Sequence, residues 1–397
     1  MKPIKITRTV KLPDPLRILR YSKAPELGPA ILFFSGGTAL NSVSRVLKNF
    51  TYNSIHIVTP FDSGGSSRRL RQAFAMPAIG DLRSRLMTLA DDTVIGNPEV
   101  YQLFTYRFPS DESNDALLQQ LETMIRGIHP LTASITNPMR RLICTQIGYF
   151  WDAMPDGFDL RGASIGNLIL CGGYLNNHKH LDPIIFLFSK LVEVHGTVRA
   201  VVKDNLHLAA DLMDGSLIIG QHLLTGKETE PLSSPIKQLH LCKTLDGFNP
   251  AHAIALKKNQ ELIREADLIC FPPGSFYTSL IANLLPEGVG SAVASSDCPK
   301  VYIPNLGTDP EQIGMDMNQL VETLLRYLHR DVDRTNNGAR LLDFVLIDSK
   351  HGSYASRLSD DLMRDLGIQV IDMTLISERS APHYDADLLV AALLSLT

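Results

Sequence analysis

Residues 31–71 read ILFFSGGTALNSVSRVLKNFTYNSIHIVTPFDSGGSSRRLR and contain two apolar runs, each followed by a pair of glycines. The first run, residues 31–34, is continuously apolar, as is typical of a strand buried on both faces. Apolar residues then recur at intervals of three and four over residues 39–50, which predicts a helix. Residues 55–59 predict a second strand. The order strand, turn, helix, strand is that of a βαβ unit in a parallel sheet.

The two glycine turns are candidate anion sites. Glycine lets the backbone take positive φ or lie flat against a ligand, so that successive N–H groups point outward together at a helix N-terminus. Both turns follow strands of one unit and therefore lie at the same carboxyl edge. The alternative is that they are ordinary strand-to-helix turns. The expected phosphate-binding residues here are Gly36, Gly37, Thr38, Gly64, Gly65, Ser66, Ser67 and Arg68, with Arg69 nearby.

The two common nucleotide-binding fingerprints are absent from the sequence. There is no G-x-x-x-x-G-K-[ST], and no glycine after Gly37 completes G-x-G-x-x-G. The sequence therefore disfavours an ordinary P-loop ATPase or nicotinamide-dependent dehydrogenase.

Two further segments carry polar residues near predicted helix starts. Asp81 is predicted to cap a helix that contains Arg83 and Arg85 in its first turn. Arginines there oppose the helix dipole, so either an anion lies nearby or the side chains are simply solvated. Residues 268–271 predict another buried strand, followed by Gly274 and Ser275. That third turn is a weaker anion site because the two preceding prolines donate no N–H group.

Composition limits the classes of partner. The 397 residues carry a net charge of −4, so no global positive field attracts nucleic acid or an acidic membrane. No apolar run approaches the ~20 residues of a membrane span. The five cysteines are scattered without C-x-x-C spacing, which is typical of reduced thiols in a cytoplasmic protein. We expect a small-molecule phospho-ligand, no nucleic acid, no membrane and a cytoplasmic location.

Six motifs carry a resemblance to a known family. They are SGGTAL, TPFDSGGSSRRLR and MPAIGDLRSRL, then SIGNL at 164–168, ADLICFPPGSFYTSLIANLL at 266–285 and YIPNLGT at 302–308. Together they resemble the CofD-like superfamily, which contains 2-phospho-L-lactate transferase and the YvcK-type gluconeogenesis factors. Four residues depart from the YvcK pattern: Ser35 and Ala39 replace glycines, Ser63 an aspartate and Ser84 an asparagine. These departures suggest a side branch of CofD-related proteins.

The resemblance implies a ligand, a metal and a reaction. The ligand would be a nucleotide diphosphate or a nucleotide sugar, held with Mg²⁺. A transferase would move a phospholactyl-type group to a hydroxyl acceptor, with Asp62 as the catalytic and metal-binding residue. The alternative is a non-catalytic YvcK-like regulator of carbon metabolism or cell-wall synthesis. The matching motifs extend the expected ligand-binding set to Thr59, Ser63, Asp81, Arg83, Gly166, Asn167, Gly274, Ser275 and Asn305.

The predicted architecture is a three-layer Rossmann-like α/β fold with a mostly parallel central sheet and a helical cap insertion. Residues 1–29 form an N-terminal extension, with prolines marking a loop, and residues 30–397 a single domain. The helical insertion spans about 97–160 and is placed to cover the ligand. The side branch adds the expectation of a homodimer and of ATP-grasp and kinase proteins as pathway partners.

Overall fold

The computed structural model describes residues 9–91, 97–226, 230–332 and 340–397. Within these ranges the chain forms a seven-stranded parallel sheet, in the order β10-β9-β8-β7-β1-β2-β3, and a three-stranded antiparallel sheet, β5-β4-β6. The strands are β1 (Ile31–Ser35), β2 (Ile55–Val58), β3 (Thr197–Ala200), β4 (His207–Leu212), β5 (Leu217–Ile219), β6 (Ile236–Cys242), β7 (Leu268–Phe271), β8 (Lys300–Tyr302), β9 (Phe344–Ile347) and β10 (Gln369–Asp372).

Helices flank the parallel sheet on both sides. They are α1 (Pro15–Lys23), α2 (Asn41–Leu47), α3 (Gly65–Phe74), α4 (Gly80–Leu89), α5 (Pro98–Thr105), α6 (Asn114–Ile125), α7 (Pro130–Ala133), α8 (Met139–Ala153), α9 (Ile165–Asn176), α10 (Leu181–Leu191), α11 (Gln221–Leu224), α12 (Lys257–Glu265), α13 (Ala282–Leu284), α14 (Val289–Ala294), α15 (Met317–Leu328), α16 (Asp360–Asp365) and α17 (Ala386–Ser395). Short 3₁₀ helices occupy Pro25–Leu27, Pro310–Gln312 and His329–Asp331, and a π-helical turn occupies Phe276–Ile281.

The central strands are buried on both faces, and this arrangement sets the layers. Along β1, Leu32 and Phe34 enter one apolar cluster, while Ile31 and Phe33 enter another on the opposite face. The predicted three-layer α/β fold with a mostly parallel sheet is therefore confirmed. The strand order reverses between β1 and β7, so the first glycine turn lies at the switch point where such sheets bind ligands.

The segment at 97–160 is helical in its described part, as predicted, with α5, α6, α7 and α8. These helices pack with α4, α9 and α10 in one apolar cluster that reaches Val58 of β2. They therefore extend a helical layer of the sheet, and the loop after α5 brings Arg107 toward the carboxyl edge. The division of the chain into a single domain with this insertion stays a prediction.

The N-terminal segment departs from the expected loop. Residues 15–23 form α1, because Pro15 occupies the first helical position and the Asp14 carboxylate accepts the Arg17 N–H. The α1 helix contacts α17 at the other end of the chain. Within the described residues, no helix combines the length and apolar character that crossing a membrane requires.

Candidate functional site

A cleft of about 390 Å³ lies at the carboxyl edge of the parallel sheet. Five segments meet there: the two glycine turns, the start of α4, the start of α9 and the short helix α11. Its lining comprises Gly37, Thr38, Asp62, Gly64, Gly65, Ser66, Ser67, Gly80, Asp81, Arg83, Ser84, Arg107, Asn167, Gln221, His222, Thr225, Ser275 and Ser279.

The second glycine turn forms the start of α3 at one wall of the cleft. Gly65 has φ +48°, a left-handed conformation that a residue with a side chain adopts only at a cost. The first intrahelical bond runs from the Arg68 N–H to the Gly64 carbonyl. The N–H groups of the three residues before Arg68 therefore have no intrahelical acceptor. Gly65, Ser66 and Ser67 thus line the cleft with donors of the kind that bind phosphate.

Asp62 lies just before this turn and caps it. Its Oδ1 accepts the Gly64 N–H at 3.0 Å, the turn-capping arrangement that short acidic side chains favour. Asp62 is half-buried and lines the cleft. The geometry thus gives this carboxylate a structural contact, and a role toward ligand or metal stays a proposal.

The first glycine turn is held by charged side chains. The Gly37 N–H donates to Asp81 Oδ2 at 3.0 Å. The prediction that Asp81 is the N-cap of its helix is wrong, because α4 begins at Gly80 and Asp81 lies within its first turn. Arg85 is buried, and its guanidinium donates to Ser44 Oγ at 2.8 Å and to the Gly36 and Gly37 carbonyls at 3.3–3.4 Å. Burial lowers the Arg85 pKa to about 10, which leaves it charged at neutral pH. Arg85 therefore stabilises the first glycine turn through its two carbonyl groups.

Gly36 is needed for close packing of the first glycine turn. A Cβ there would lie 2.5 Å from Ser279 Oγ, so the turn and the π-helical segment approach too closely for a larger residue. Gly37 has open space at the same position. Neither Gly36 nor Gly37 has a positive φ, so this turn does not use the first of the two conformations expected of a glycine turn. Close packing, together with an open face toward the cleft, accounts for the pair.

The positive side of the cleft is built by Arg83 and Arg107. Arg83 Nε donates to Asn167 Oδ1 at 2.9 Å, and Asn167 Nδ2 donates to Ser66 Oγ at 3.1 Å. Burial, and then repulsion from Arg107, lowers the Arg83 pKa to about 10, so the side chain stays cationic at neutral pH. Arg107 is exposed and donates to the Gly162 carbonyl at 2.6 Å. A partly desolvated cation beside free helix amides is a strong arrangement for an anion.

Several predicted ligand residues lie outside this cleft. Arg68 is exposed on α3 and Thr59 is buried after β2, and neither residue lines the cleft. Gly166 lies in α9, where a Cβ would be 2.5 Å from the Phe104 carbonyl oxygen and 2.7 Å from Arg83 Cδ. The glycine therefore allows the close approach of both groups. Gly36, Gly274 and Asn305 line a second, adjoining cavity.

Ser63 contacts His222 of α11, between β5 and β6 of the three-stranded sheet. His222 is not among the candidate site residues expected from the sequence. Ser63 Oγ lies 2.8 Å from His222 Nδ1 and accepts the His222 N–H at 3.1 Å. This pair fixes α11, so that Gln221, His222 and Thr225 form a wall of the cleft. No sequence motif marks these three residues. They follow Gly220, whose φ of +117° cannot be recognised from the sequence.

The third strand-to-helix turn is already occupied by the protein's own carboxylates. Asp309 accepts the Phe276 N–H at 3.0 Å, and Glu311 accepts the Tyr277 and Thr278 N–H groups, each at 2.8 Å. The amides of Phe276, Tyr277 and Thr278 are therefore occupied within the protein. Burial and the nearby Asp309 charge raise the Glu311 pKa to about 7.

The other residues of this turn differ in their positions. Asn305 Oδ1 accepts the Gly274 N–H at 2.6 Å, which places the asparagine in a structural role. Ser275 still reaches the main cleft, together with Ser279.

The carboxylates present suit a hard, oxygen-bound metal only in the company of a ligand. Asp62 and Asp81 both line the cleft, but no group of three histidine, cysteine or acidic side chains gathers anywhere in the described residues. Mg²⁺ commonly binds through one or two carboxylates plus substrate phosphates. The donor set therefore fits Mg²⁺ shared with a phosphate-bearing ligand.

The sequence model of 2-phospho-L-lactate transferase CofD matches residues 31–380, which include all five segments of the cleft. The chain belongs to the CofD family. The resemblance read from the six motifs is therefore confirmed.

Relatives and a solved structure extend this result. The gluconeogenesis factor of Bacillus subtilis strain 168 is 29% identical over 323 residues, covering 81% of this chain and 79% of that protein. The gluconeogenesis factor of Listeria monocytogenes is 26% identical over 382 residues, covering 93% and 97%. A crystal structure of a UPF0052 family member from Bacillus halodurans has a TM-score of 0.68 and 23% identity over 92% of this chain and 99% of that chain. The last comparison supports the fold of this CofD family member.

Proposed function

We propose that this CofD family protein binds the diphosphate of a nucleotide diphosphate or nucleotide sugar in the cleft. The observation that carries the proposal is the convergence of free amides at the start of α3 with the partly buried cation Arg83. Amides supply directed donors and Arg83 supplies charge in a partly desolvated site, where an ionic hydrogen bond is worth more than in water. Arg107 adds charge at the rim.

Transfer to a hydroxyl acceptor is the first candidate outcome of that binding. Phosphorus-group transfer depends mainly on positioning and on charge neutralisation, which this cleft offers. Asp62 would take the proton of the acceptor hydroxyl, because it is the acidic residue of the second turn that faces the cavity. Bound Mg²⁺ would neutralise charge on the diphosphate, with Asp62 and Asp81 as its protein ligands.

Ligand sensing without turnover is the second candidate, and two observations favour it. The curated relatives described above carry the name gluconeogenesis factor. In addition, the Asp62 carboxylate already caps the turn through Gly64, which gives it a reason to be present without chemistry. The same cleft would then bind a nucleotide sugar and report on it.

One experiment separates these two candidates. The protein is incubated with Mg²⁺, nucleotide-activated donors and hydroxyl acceptors such as deazaflavins, and released nucleoside mono- or diphosphate is measured. A transferase releases nucleotide, and Asp62→Asn lowers the rate by about 10²-fold or more, as for loss of a general base. A sensor binds ligand in a parallel calorimetric titration but releases nothing. Absence of binding by every nucleotide diphosphate and nucleotide sugar would refute the proposal itself.

A further inference from the structure

A buried arginine outside the cleft has no part in the proposed function as stated above. Arg71 lies in the last turn of α3, is 5% exposed and does not line the cleft. Taking a guanidinium out of water is costly, and folded proteins bury one where hydrogen bonds and nearby charges offset that cost. The contacts that Arg71 makes therefore explain why it is buried.

The Nη1 atom of Arg71 holds the chain just before the second glycine turn. It donates to the Phe61 carbonyl at 3.1 Å and to the Asp62 carbonyl at 2.9 Å. Burial lowers the Arg71 pKa to about 10, although attraction to Asp62 raises it, so the guanidinium stays charged at neutral pH. Both bonds are therefore charge-assisted, which makes them stronger than bonds between neutral groups.

The rest of the guanidinium contacts the segment that leads into β4 of the three-stranded sheet. Nε and Nη2 donate to Asn205 Oδ1 at 3.1 and 2.8 Å, and Nη2 donates to the Leu206 carbonyl at 2.6 Å. His207 Nε2 lies 3.3 Å from Nη2. Burial, followed by repulsion from Arg71 and His222, lowers the His207 pKa to about 4, so the ring is neutral at neutral pH and its Nε2 can accept. Arg71 thus joins the second glycine turn to the three-stranded sheet.

These contacts bear on the amides that the proposed function uses. The N–H groups of residues 65–67 bind phosphate well only if they point toward one place, and their directions depend on the backbone that leads into the turn. Glycine restricts the backbone least of all residues, so neighbouring groups must fix a turn that contains a glycine pair. Arg71 holds the two carbonyls that precede this turn, and the contact between Ser63 and His222 is a second link to the same part of the fold.

We infer that Arg71 is a positioning residue of the phosphate site, which fixes the second glycine turn from outside the cleft through its bonds to Asn205. This inference rests on the proposed function, and it adds a residue that sets ligand affinity without touching the ligand. The effect arises from preorganisation, because amides that are held in place before binding lose less conformational freedom when the phosphate binds.

The test removes the acceptor and leaves the buried cation in place, since loss of Arg71 would also leave a cavity. Asn205 is half-buried and does not line the cleft. Asn205→Ala removes the acceptor of two Arg71 bonds, and Asn205→Asp keeps an acceptor there. Asn318→Ala is the matched control, since Asn318 is also half-buried, accepts the Ser359 N–H and does not line the cleft. Arg71→Lys keeps the charge but has fewer N–H groups.

Inorganic pyrophosphate, GDP and a UDP-sugar are titrated calorimetrically against each variant with Mg²⁺ present, at a temperature well below its thermal unfolding. Asn205→Ala should weaken the binding of each ligand that the wild type binds about three- to tenfold, because only part of the free energy of a charge-assisted hydrogen bond enters the ligand affinity. Arg71→Lys should weaken it about tenfold or more. Asn205→Asp and the control should stay within about twofold of the wild type.

Three results overturn the inference, and they separate it from the proposed function. If Asn205→Ala lowers the melting temperature but binds every ligand like the wild type, the contact serves stability alone and the phosphate site stands. If Asn205→Asp binds as weakly as Asn205→Ala, the lost acceptor is not the cause. If the wild type binds none of the three ligands, the proposed function fails and this inference with it. Arg71→Lys is judged by the first criterion as well, so the test holds even where Asn205→Ala does not fold.

Discussion

The three arginines near the second glycine turn should contribute to ligand affinity in a strict order. Arg83 lines the cleft, is largely desolvated and donates to Asn167. Arg107 lines it but is exposed, and Arg68 is exposed and does not line it. We therefore expect Arg83→Gln to weaken binding most, Arg107→Gln slightly and Arg68→Gln not at all. Glutamine keeps a donor for Asn167 and removes the charge.

The size of each effect follows from burial. A hydrogen bond that involves a charged group contributes about 1.5–3 kcal/mol, so Arg83→Gln should weaken binding roughly 10- to 100-fold. An exposed ion pair contributes about 0.2–1 kcal/mol, which limits Arg107→Gln to about fivefold. A surface change away from the site stays within about 0.5 kcal/mol, or roughly twofold.

The assay is calorimetric titration with GDP and a UDP-sugar at one fixed ionic strength, because salt screens the exposed Arg107 more than the half-buried Arg83. Thermal unfolding of each variant checks that the comparison concerns folded protein. The reasoning is refuted if Arg68→Gln loses as much affinity as Arg83→Gln, or if Arg83→Gln binds like the wild type.

Three further predictions concern the turns, the buried acid and the metal. Gly36→Ala should lower the melting temperature, because its Cβ would lie 2.5 Å from Ser279 Oγ. Gly37→Ala should keep the melting temperature of the wild type and weaken ligand binding. Equal melting temperatures for the two variants would contradict this prediction. Folding raises the Glu311 pKa to about 7. The free energy of unfolding of the wild type, relative to that of Glu311→Gln, should therefore be greatest below about pH 4.5 and fall by about 3 kcal/mol as the pH rises past 7. Denaturant titrations that show a pH-independent difference would refute this prediction. Removal of Mg²⁺ with EDTA should weaken the binding of nucleotide diphosphate to the wild type and have a much smaller effect on Asp62→Asn. Zinc retained through purification would count against an oxygen-bound ion.

The fold could be predicted from the sequence because the patterns that indicate strands, turns and helices are local. A continuous apolar run such as residues 31–34 is followed at once by its turn, and strand, turn and helix signals repeat along the chain. The same applies to the second glycine turn, where residues 64–67 line the cleft as expected. Parallel order then places successive turns at one edge without any further information.

The remaining site residues depend on contacts between distant segments. Asp81 lies 44 residues from the Gly37 N–H that it accepts, and His222 lies 159 residues from Ser63. No pattern around either residue indicates its partner. The third turn also depends on distant segments. Its Gly274 N–H donates to Asn305, 31 residues away, and the amides of Tyr277 and Thr278 donate to Glu311.

The most direct test of the account is a crystal structure of the protein with GDP or a UDP-sugar and Mg²⁺. The account predicts diphosphate oxygens within hydrogen-bond distance of the N–H groups of Gly65, Ser66 and Ser67, with the Arg83 guanidinium on the same group. Ordered diphosphate at any other place, with these amides facing only water, would contradict it.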